Sequence, residues 1–247
     1  MDTNTADKIV EKTRADYEAI AKAFTESRTN LWEEAHYFGQ YLQDNVAVLD
    51  LGCANGRLLK LFEKHKVAYT GVDENAMFLQ AAGKYAKTFS NVTATFVQSD
   101  MRKLPFADNS FDRAFCIASL HHVPSSEYQL QAIIEMYRVL KPGGLLLMTN
   151  WELASQPRYV KKRDKLRMEH PELFQGLDDT DFVITWRWSM GDTTVYRYYH
   201  SFSELELRVL LESAGFSVEG MHASTGALNP LGQRVKKNIV TIASKRG

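Results

Sequence analysis

Cysteine is scarce in this sequence: Cys53 and Cys116 are the only two in 247 residues. That is too few for a disulfide framework or a structural zinc site. Both lie in apolar, strand-end surroundings and read as buried thiols. Net charge is missing too, since 30 basic residues balance 30 acidic ones. The chain therefore lacks a whole-surface footprint for nucleic acid, which leaves only a local patch for such a partner. No apolar run approaches the roughly 20 residues that a membrane span requires. The polar stretch from Met1 to Arg14 holds no apolar signal segment, so a cytoplasmic location is expected. A G-x-x-x-x-G-K-[ST] phosphate loop is absent, which argues against an ATPase. No Ser-His-Asp pattern or metal-ligand cluster stands out, and no metal is expected.

Against these absences stands one short stretch, VLDLGCANGRLL, from Val48 to Leu59. Val46 to Leu49 is apolar without alternation, as in a strand buried on both faces. Gly52 and Gly56 permit backbone angles and close approaches that a Cβ would block. Arg57 to Phe62 then takes up helical spacing. A strand, a glycine turn and a helix together can hold a nucleotide-like ligand on free N–H groups.

The rest of the chain is organised around that pattern. Two helical stretches precede it, about Ala6 to Phe24 and Asn30 to Leu42. Strands are expected at Val67 to Val72, before Asp100, across FDRAFCIASLHHV, and at Leu145 to Asn150. Helices are expected at Ala76 to Ala86 and Glu127 to Leu140, the second closed by Lys141-Pro142-Gly143-Gly144. Strands separated by helices imply a parallel sheet with right-handed crossovers. From Trp151 to about His200 the pattern weakens, and such a stretch inside a regular domain reads as a functional lid. Ser203 and Glu206 fit a capping box, Gly215 suits a C-cap, and Phe216 to His222 and Val235 to Ser244 read as closing strands.

Three acids, Asp50, Asp73 and Asp100, stand at the ends of three successive strands, where an open parallel sheet lines its ligand crevice. Asp73 follows Gly56 by 17 residues, near the ~20-residue offset of an acid that binds ribose hydroxyls. The glycine pattern is G-x-A-x-G followed by Arg57, so the third glycine of a dinucleotide site has no counterpart.

Four stretches, VLDLGCANGRLL, YTGVDENAMFL, SDMRKLPFADNSFDRAFCIASLHHV and RVLKPGGLLLMT, together resemble the class I S-adenosylmethionine-dependent methyltransferases of the type 11 domain. The resemblance implies an α/β fold: a Rossmann-like, seven-stranded, mostly parallel sheet with helices on both faces. It also implies a helical cover over residues 1–45 and a methyltransferase domain over 46–247, with the lid inserted at about 151–200. S-adenosyl-L-methionine would be the cofactor. Asp50, Gly52, Cys53, Ala54 and Gly56 would hold its amino-acid end and Asp73 its ribose. Asp100 and Met101 would flank the adenine, and Ala118 would lie near the methionine portion. Ala54 stands where that family commonly has glycine.

A narrower resemblance lies outside this core. DYEAIAKAFTESRTNLWEEAHYF, SLHHV and YRYYHSFSELEL are similar to the tRNA-methyltransferase-9 type, which methylates a carboxymethyl group on wobble uridine. Thr185 stands where that family has proline before tryptophan. A carboxylate acceptor is already ionised and needs cationic or donor groups rather than a base. Arg28, His121, Arg197 and His200 are the candidates for such a clamp, one of His121 and His122 facing the site while the other packs. The expected partners are tRNA or a small-molecule acceptor, with a small partner protein as a further aid to RNA binding. Membrane and metal are not expected. A small-molecule O- or N-methyltransferase, and a non-catalytic cofactor-binding module, stay open beside the tRNA reading.

Overall fold

The computed structural model describes residues 1–187, 194–224 and 238–247. Nine strands follow in chain order: β1 (Val46–Leu51), β2 (Val67–Asp73), β3 (Val92–Gln98), β4 (Phe111–Ile117), β5 (Leu140–Trp151), β6 (Asp181–Arg187), β7 (Thr194–His200), β8 (Phe216–Ala223) and β9 (Asn238–Lys245). Seven of them form one sheet in the order β3-β2-β1-β4-β5-β9-β8, and β6 and β7 form a separate antiparallel hairpin. Pairing is parallel from β3 to β5, and β9 runs antiparallel to both neighbours. This is the seven-stranded, mostly parallel sheet that the motifs imply.

The α-helices of the described residues are α1 (Thr3–Ser27), α2 (Glu33–Tyr37), α3 (Ala76–Ala86), α4 (Ser126–Val139), α5 (Pro157–Glu169) and α6 (Glu204–Ser213). Helices α4 and α6 cover one sheet face and α2 and α3 the other, because the strands alternate their side chains between two cores. Leu49 and Leu51 enter one core with Ile133, Met136 and Leu211 of α4 and α6. Val48 enters the other with Phe38, Phe62 and Phe115. Cys53 and Cys116 are buried free thiols, and burial pushes Cys116 up to about 12. The strand order reverses between β1 and its two neighbours, so the crevice falls at their carboxyl ends.

Local signals account for most element ends. Asn75 Oδ1 accepts the N–H groups of Met77 and Phe78 at 2.9 and 3.2 Å and starts α3. Ser203 and Glu206 form the expected capping box on α6. Other elements differ from expectation. The stretch after Gly56 is a 3-10 helix, Arg57–Phe62, with only residues 63–66 left before β2. The expected helix at residues 30–42 divides into α2 and a 3-10 turn, Phe38–Tyr41. Strand β5 begins at Leu140 and carries Pro142-Gly143-Gly144 through a register shift against β4, between Phe111 and Arg113. The irregularity accommodates residues that a regular ladder would refuse. Of the last expected strand, Val235 to Lys237 lie outside the described residues, as does Trp188 of the expected lid. The stretch 151–200 holds α5, a 3-10 turn at Pro171–Phe174, and the β6–β7 hairpin.

Candidate active site

A cleft opens at the carboxyl ends of β1, β2 and β4. Its wall includes Asp50, Gly52, Cys53 and Ala54 from the first turn, and Asp73 from the end of β2. Asp100, Met101 and Ala118 complete that side, while α1 supplies the opposite wall through Val10, Thr13, Arg14 and Tyr17. Two backbone constraints shape the floor. Gly52 has φ of +70°, and a Cβ there would collide with the Ser119 Oγ, so only glycine fits. Ala54 adopts φ of 45°, unusual for a side chain-bearing residue. Its N–H then donates to Asp73 Oδ2 at 2.9 Å. Gly56 is also left-handed, but it meets Ala82 of α3 and stands off the cleft wall. A Cβ there would meet the Ala82 Cβ at 2.9 Å, so close packing against α3 requires glycine.

The acids differ in how they are held. Burial pushes Asp50 up to about 7, opposed by the Tyr69 hydroxyl, which donates to it at 2.5 Å. Burial also raises Asp73 to about 6, although it accepts the N–H groups of Ala54 and Asn75, each at 2.9 Å. These two carboxylates face the cleft without a cationic partner in ion-pair reach among the described residues. Asp100 is different, because Arg102 grips it through Nε at 2.9 Å and Nη2 at 2.6 Å. Arg102 in turn lies over the Tyr128 ring, 4.3 Å from its centroid.

The cationic end of the cleft is built around Tyr17. Arg197 Nη1 donates to the Tyr17 hydroxyl at 3.0 Å, and that hydroxyl lies 2.8 Å from His122 Nε2. His122 Nδ1 lies 2.9 Å from the Tyr198 carbonyl, which can only accept. His122 therefore donates from Nδ1 and accepts the phenol proton at Nε2. Burial, then the Arg197 charge, holds this imidazole down at about 3, so it is neutral at ordinary pH. Arg57 stacks on Trp32, its guanidinium carbon 3.1 Å from the ring centroid. Burial, then repulsion from Arg28, lowers it to about 9. Arg28 lies over the Phe24 ring at 5.5 Å, and its carbonyl accepts from Asn55 Nδ2 at 2.9 Å, which ties α1 to the glycine loop. Among the described residues none of Arg28, Arg57 and Arg197 forms an ion pair.

Of the four expected clamp residues, the structure gathers two arginines and sets the histidines elsewhere. Arg28 and Arg197 stand one layer behind the wall formed by Tyr17, Trp32 and Arg57. His121 lies behind His122, its ring 5.2 Å from both Trp151 and Tyr199; the 3-10 turn Leu120–His122 gives the wall to His122 instead. His200 is off the cleft. Asp181 and Glu206 bracket it at 2.9 Å on each ring nitrogen, and despite burial these bonds raise it to about 9. It ties the β6–β7 hairpin to α6. Arg57, Trp32, Tyr17 and His122 are wall residues that the expected clamp omits. The available signal was an arginine inside the apolar run Arg57-Leu58-Leu59, where a buried cation needs a reason.

Known proteins share this chain's core sequence and its fold. The methyltransferase domain family matches residues 49–148. A protein of Encephalitozoon cuniculi whose name calls it a methyltransferase is 30% identical over 207 residues, 82% of this chain and 85% of that one. The chain belongs to the S-adenosylmethionine-dependent methyltransferases. A Schizosaccharomyces pombe relative named tRNA (carboxymethyluridine(34)-5-O)-methyltransferase is 28% identical, covering 82% of this chain and 87% of its own. A mouse protein named as a probable tRNA methyltransferase 9B is 31% identical over 150 residues, 61% of this chain. The methyltransferase spans about a third of the length of that mammalian relative, the match covering 32% of it. A Methanosarcina mazei S-adenosylmethionine-dependent methyltransferase superposes with a TM-score of 0.70 at 26% identity, covering 88% of this chain and 99% of that one.

The cofactor of this methyltransferase is S-adenosylmethionine, and the residues of the cleft fit it. The cofactor brings a sulfonium, an ammonium and ribose hydroxyls, and the cleft offers two carboxylates, the buried Asp50 and the half-buried Asp73, that form no ion pair among the described residues. The floor at Gly52 has room for backbone contact only. Among the described residues no group of His, Cys, Asp and Glu is arranged to hold a metal, and no helix is long and apolar enough to cross a membrane.

Proposed function

We propose that the methyltransferase esterifies the carboxymethyl group of a tRNA wobble uridine. The observation that carries this reading is the set of guanidinium groups that form no ion pair among the described residues, the half-buried Arg28 and the buried Arg57 and Arg197, gathered at one end of the cleft. Buried cations are costly unless an anion compensates them, and a carboxylate acceptor supplies that anion. The cofactor supplies a methyl group activated on a sulfonium. A carboxylate oxygen can take that methyl without losing a proton, so the site needs no base. His122 agrees with this, since it is neutral and its Nε2 is occupied by the Tyr17 hydroxyl. Arg57 meets the acceptor, Arg28 and Arg197 reinforce the field, and Tyr17 fixes Arg197 against His122. Orientation of this kind can supply much of the rate. His121 is a positioning residue behind His122.

On the cofactor side, Asp73 takes the ribose hydroxyls, and Asp50 with the Gly52–Ala54 turn takes the amino-acid end. Asp100 and Met101 flank the adenine, and Ala118 borders the methionine chain. The activity in the name of the Schizosaccharomyces pombe relative supports the acceptor. The zero net charge favours the second reading, a small-molecule carboxylate, hydroxyl or amine. The test is incubation with tRNA bearing carboxymethyluridine, followed by nucleoside mass spectrometry. A methyl ester at the wobble position is the expected product. No ester, with methylation of a metabolite from a cell extract, would hand the function to the second reading.

A further inference from the structure

Helix α5 carries six of the chain's 30 basic residues and only two acidic ones, Asp164 and Glu169, although the chain as a whole is neutral. Its cations fall into two sets. Arg163 and Arg167 turn inward: their guanidiniums lie over Phe182 and Phe174 at 4.9 and 5.1 Å, and Arg167 pairs with Asp179 at 3.3 Å. Arg158, Lys161, Lys162 and Lys165 are exposed. They occupy i, i+3, i+4 and i+7, one helix face about 10 Å long at the usual rise. Of the four only Lys165 is ion-paired among the described residues, to Glu169 at 3.7 Å, with both side chains more than half exposed, so the pair is weak.

The helix is tied to the cleft wall through its inner face. There Tyr159 and Val160 pack in one cluster with Leu153, Phe182 and Tyr199. The Tyr199 ring lies 4.5 Å from that of His122, which forms part of the cleft wall. The four cations lie on the other face of the same helix, open to solvent. We propose that Arg158, Lys161, Lys162 and Lys165 form a docking surface for the phosphate backbone of RNA, a surface that rests on the RNA acceptor proposed above. Phosphates spaced along a strand match a linear row of cations whose charge is little compensated. An anionic membrane fits less well, because Tyr159 and Val160 are engaged in packing and Met168 is the one large apolar side chain exposed on α5, too little for a membrane-seeking apolar face.

The experiment measures binding of unfractionated tRNA by fluorescence anisotropy across a salt series. It compares the full chain, a variant carrying Arg158→Gln, Lys161→Gln and Lys162→Gln, and a control carrying Lys84→Gln and Lys87→Gln. The α5 variant should bind at least about tenfold more weakly at low salt. Its slope of log affinity on log salt should be shallower by about 2, at roughly 0.7–0.9 for each phosphate no longer neutralised. Melting temperature and S-adenosylhomocysteine affinity should not move, and the control should bind as the parent does. An unchanged slope in the α5 variant overturns the surface, and if the parent still methylates tRNA, the acceptor reading survives it. An equal loss in the control, or binding of phosphatidylserine vesicles through the same residues undisturbed by tRNA, also overturns it. A parent that neither binds nor methylates tRNA removes both.

Discussion

Asp50 and Asp181 are both almost fully buried, at 3% and 1% exposure, yet one lies in β1 beside the cleft and the other opens β6 in the insertion. Asp181 is saturated. It accepts from the Tyr198 hydroxyl at 2.8 Å, from His200 Nδ1 at 2.9 Å and from the Asp178 N–H at 3.0 Å. Asp50 accepts from the Tyr69 hydroxyl, and burial leaves it at about 7. One carboxylate is part of a lock, and the other stores an unmet demand for positive charge. The same residue type is therefore fully partnered in one region and, in the other, left available to the cofactor role proposed for it.

Breaking the lock should give the largest effect. Asp181→Ala leaves the Tyr198 phenol buried without its acceptor and the charged imidazole with Glu206 alone, at a combined cost of about 3–5 kcal/mol. Denaturant unfolding should show that loss, and a change under about 1 kcal/mol would mean the hairpin repacks freely. On the cleft side the expected order is reversed. Asp73→Ala should weaken S-adenosylhomocysteine binding by about 1–3 kcal/mol, the range for hydrogen bonds to a charged group. Asp50→Asn keeps the shape and should leave the free protein at least as stable at about pH 8 while lowering that affinity. Calorimetry showing unchanged affinity in both variants would remove the cofactor roles assigned to these acids.

The two regions also separate along the pH axis. Asp50 and Asp73, raised to about 7 and about 6, hold protons in the native state that the unfolded chain releases near 3.9. Their contribution is therefore full below about pH 4 and fades as pH rises towards 7. His122, lowered to about 3, acts oppositely: its contribution is full above about 6.5 and is lost as pH falls below that. His200, raised to about 9, is stabilising below about 6.5 and loses that effect as pH rises through 9. Between about pH 7 and 9 the insertion should dominate the slope, at most about 1.4 kcal/mol per pH unit for one proton. His200→Gln should flatten it in melting curves. A slope unaltered by that change would mean another group titrates there.

Much of this contrast is legible in the sequence, and the remainder has a physical reason. The strand-end acids and the glycine turn are local signals, so Asp50, Gly52, Ala54, Asp73 and Met101 announce their own place on the cleft. The partners of His200 come from β6 and α6, 19 and 6 residues away. No local pattern announces that Glu206 both caps α6 and holds an imidazole. For His121 and His122, the choice depends on how a three-residue 3-10 turn is phased. Arg57 is hidden because its neighbours Leu58 and Leu59 carry the helical pattern, while its stacking partner Trp32 lies 25 residues upstream.

The smallest expected effect tests whether the first turn is strained or merely unusual. Ala54 holds φ of 45° so that its N–H can reach Asp73 at 2.9 Å. A left-handed conformation costs a residue with a Cβ about 1–2 kcal/mol, which Ala54→Gly would relieve. The same change frees the unfolded chain, costing about 0.4–1 kcal/mol. The net should be a gain between about 0 and 1.6 kcal/mol, with the Ala54–Asp73 bond and cofactor affinity retained, since the backbone already has a conformation glycine adopts freely. Unfolding in denaturant and calorimetry with S-adenosylhomocysteine measure both quantities. A loss of more than about 1 kcal/mol would show that the methyl group packs usefully against Tyr17 and Phe24, which share its apolar cluster. Its role would then be contact rather than tolerated strain.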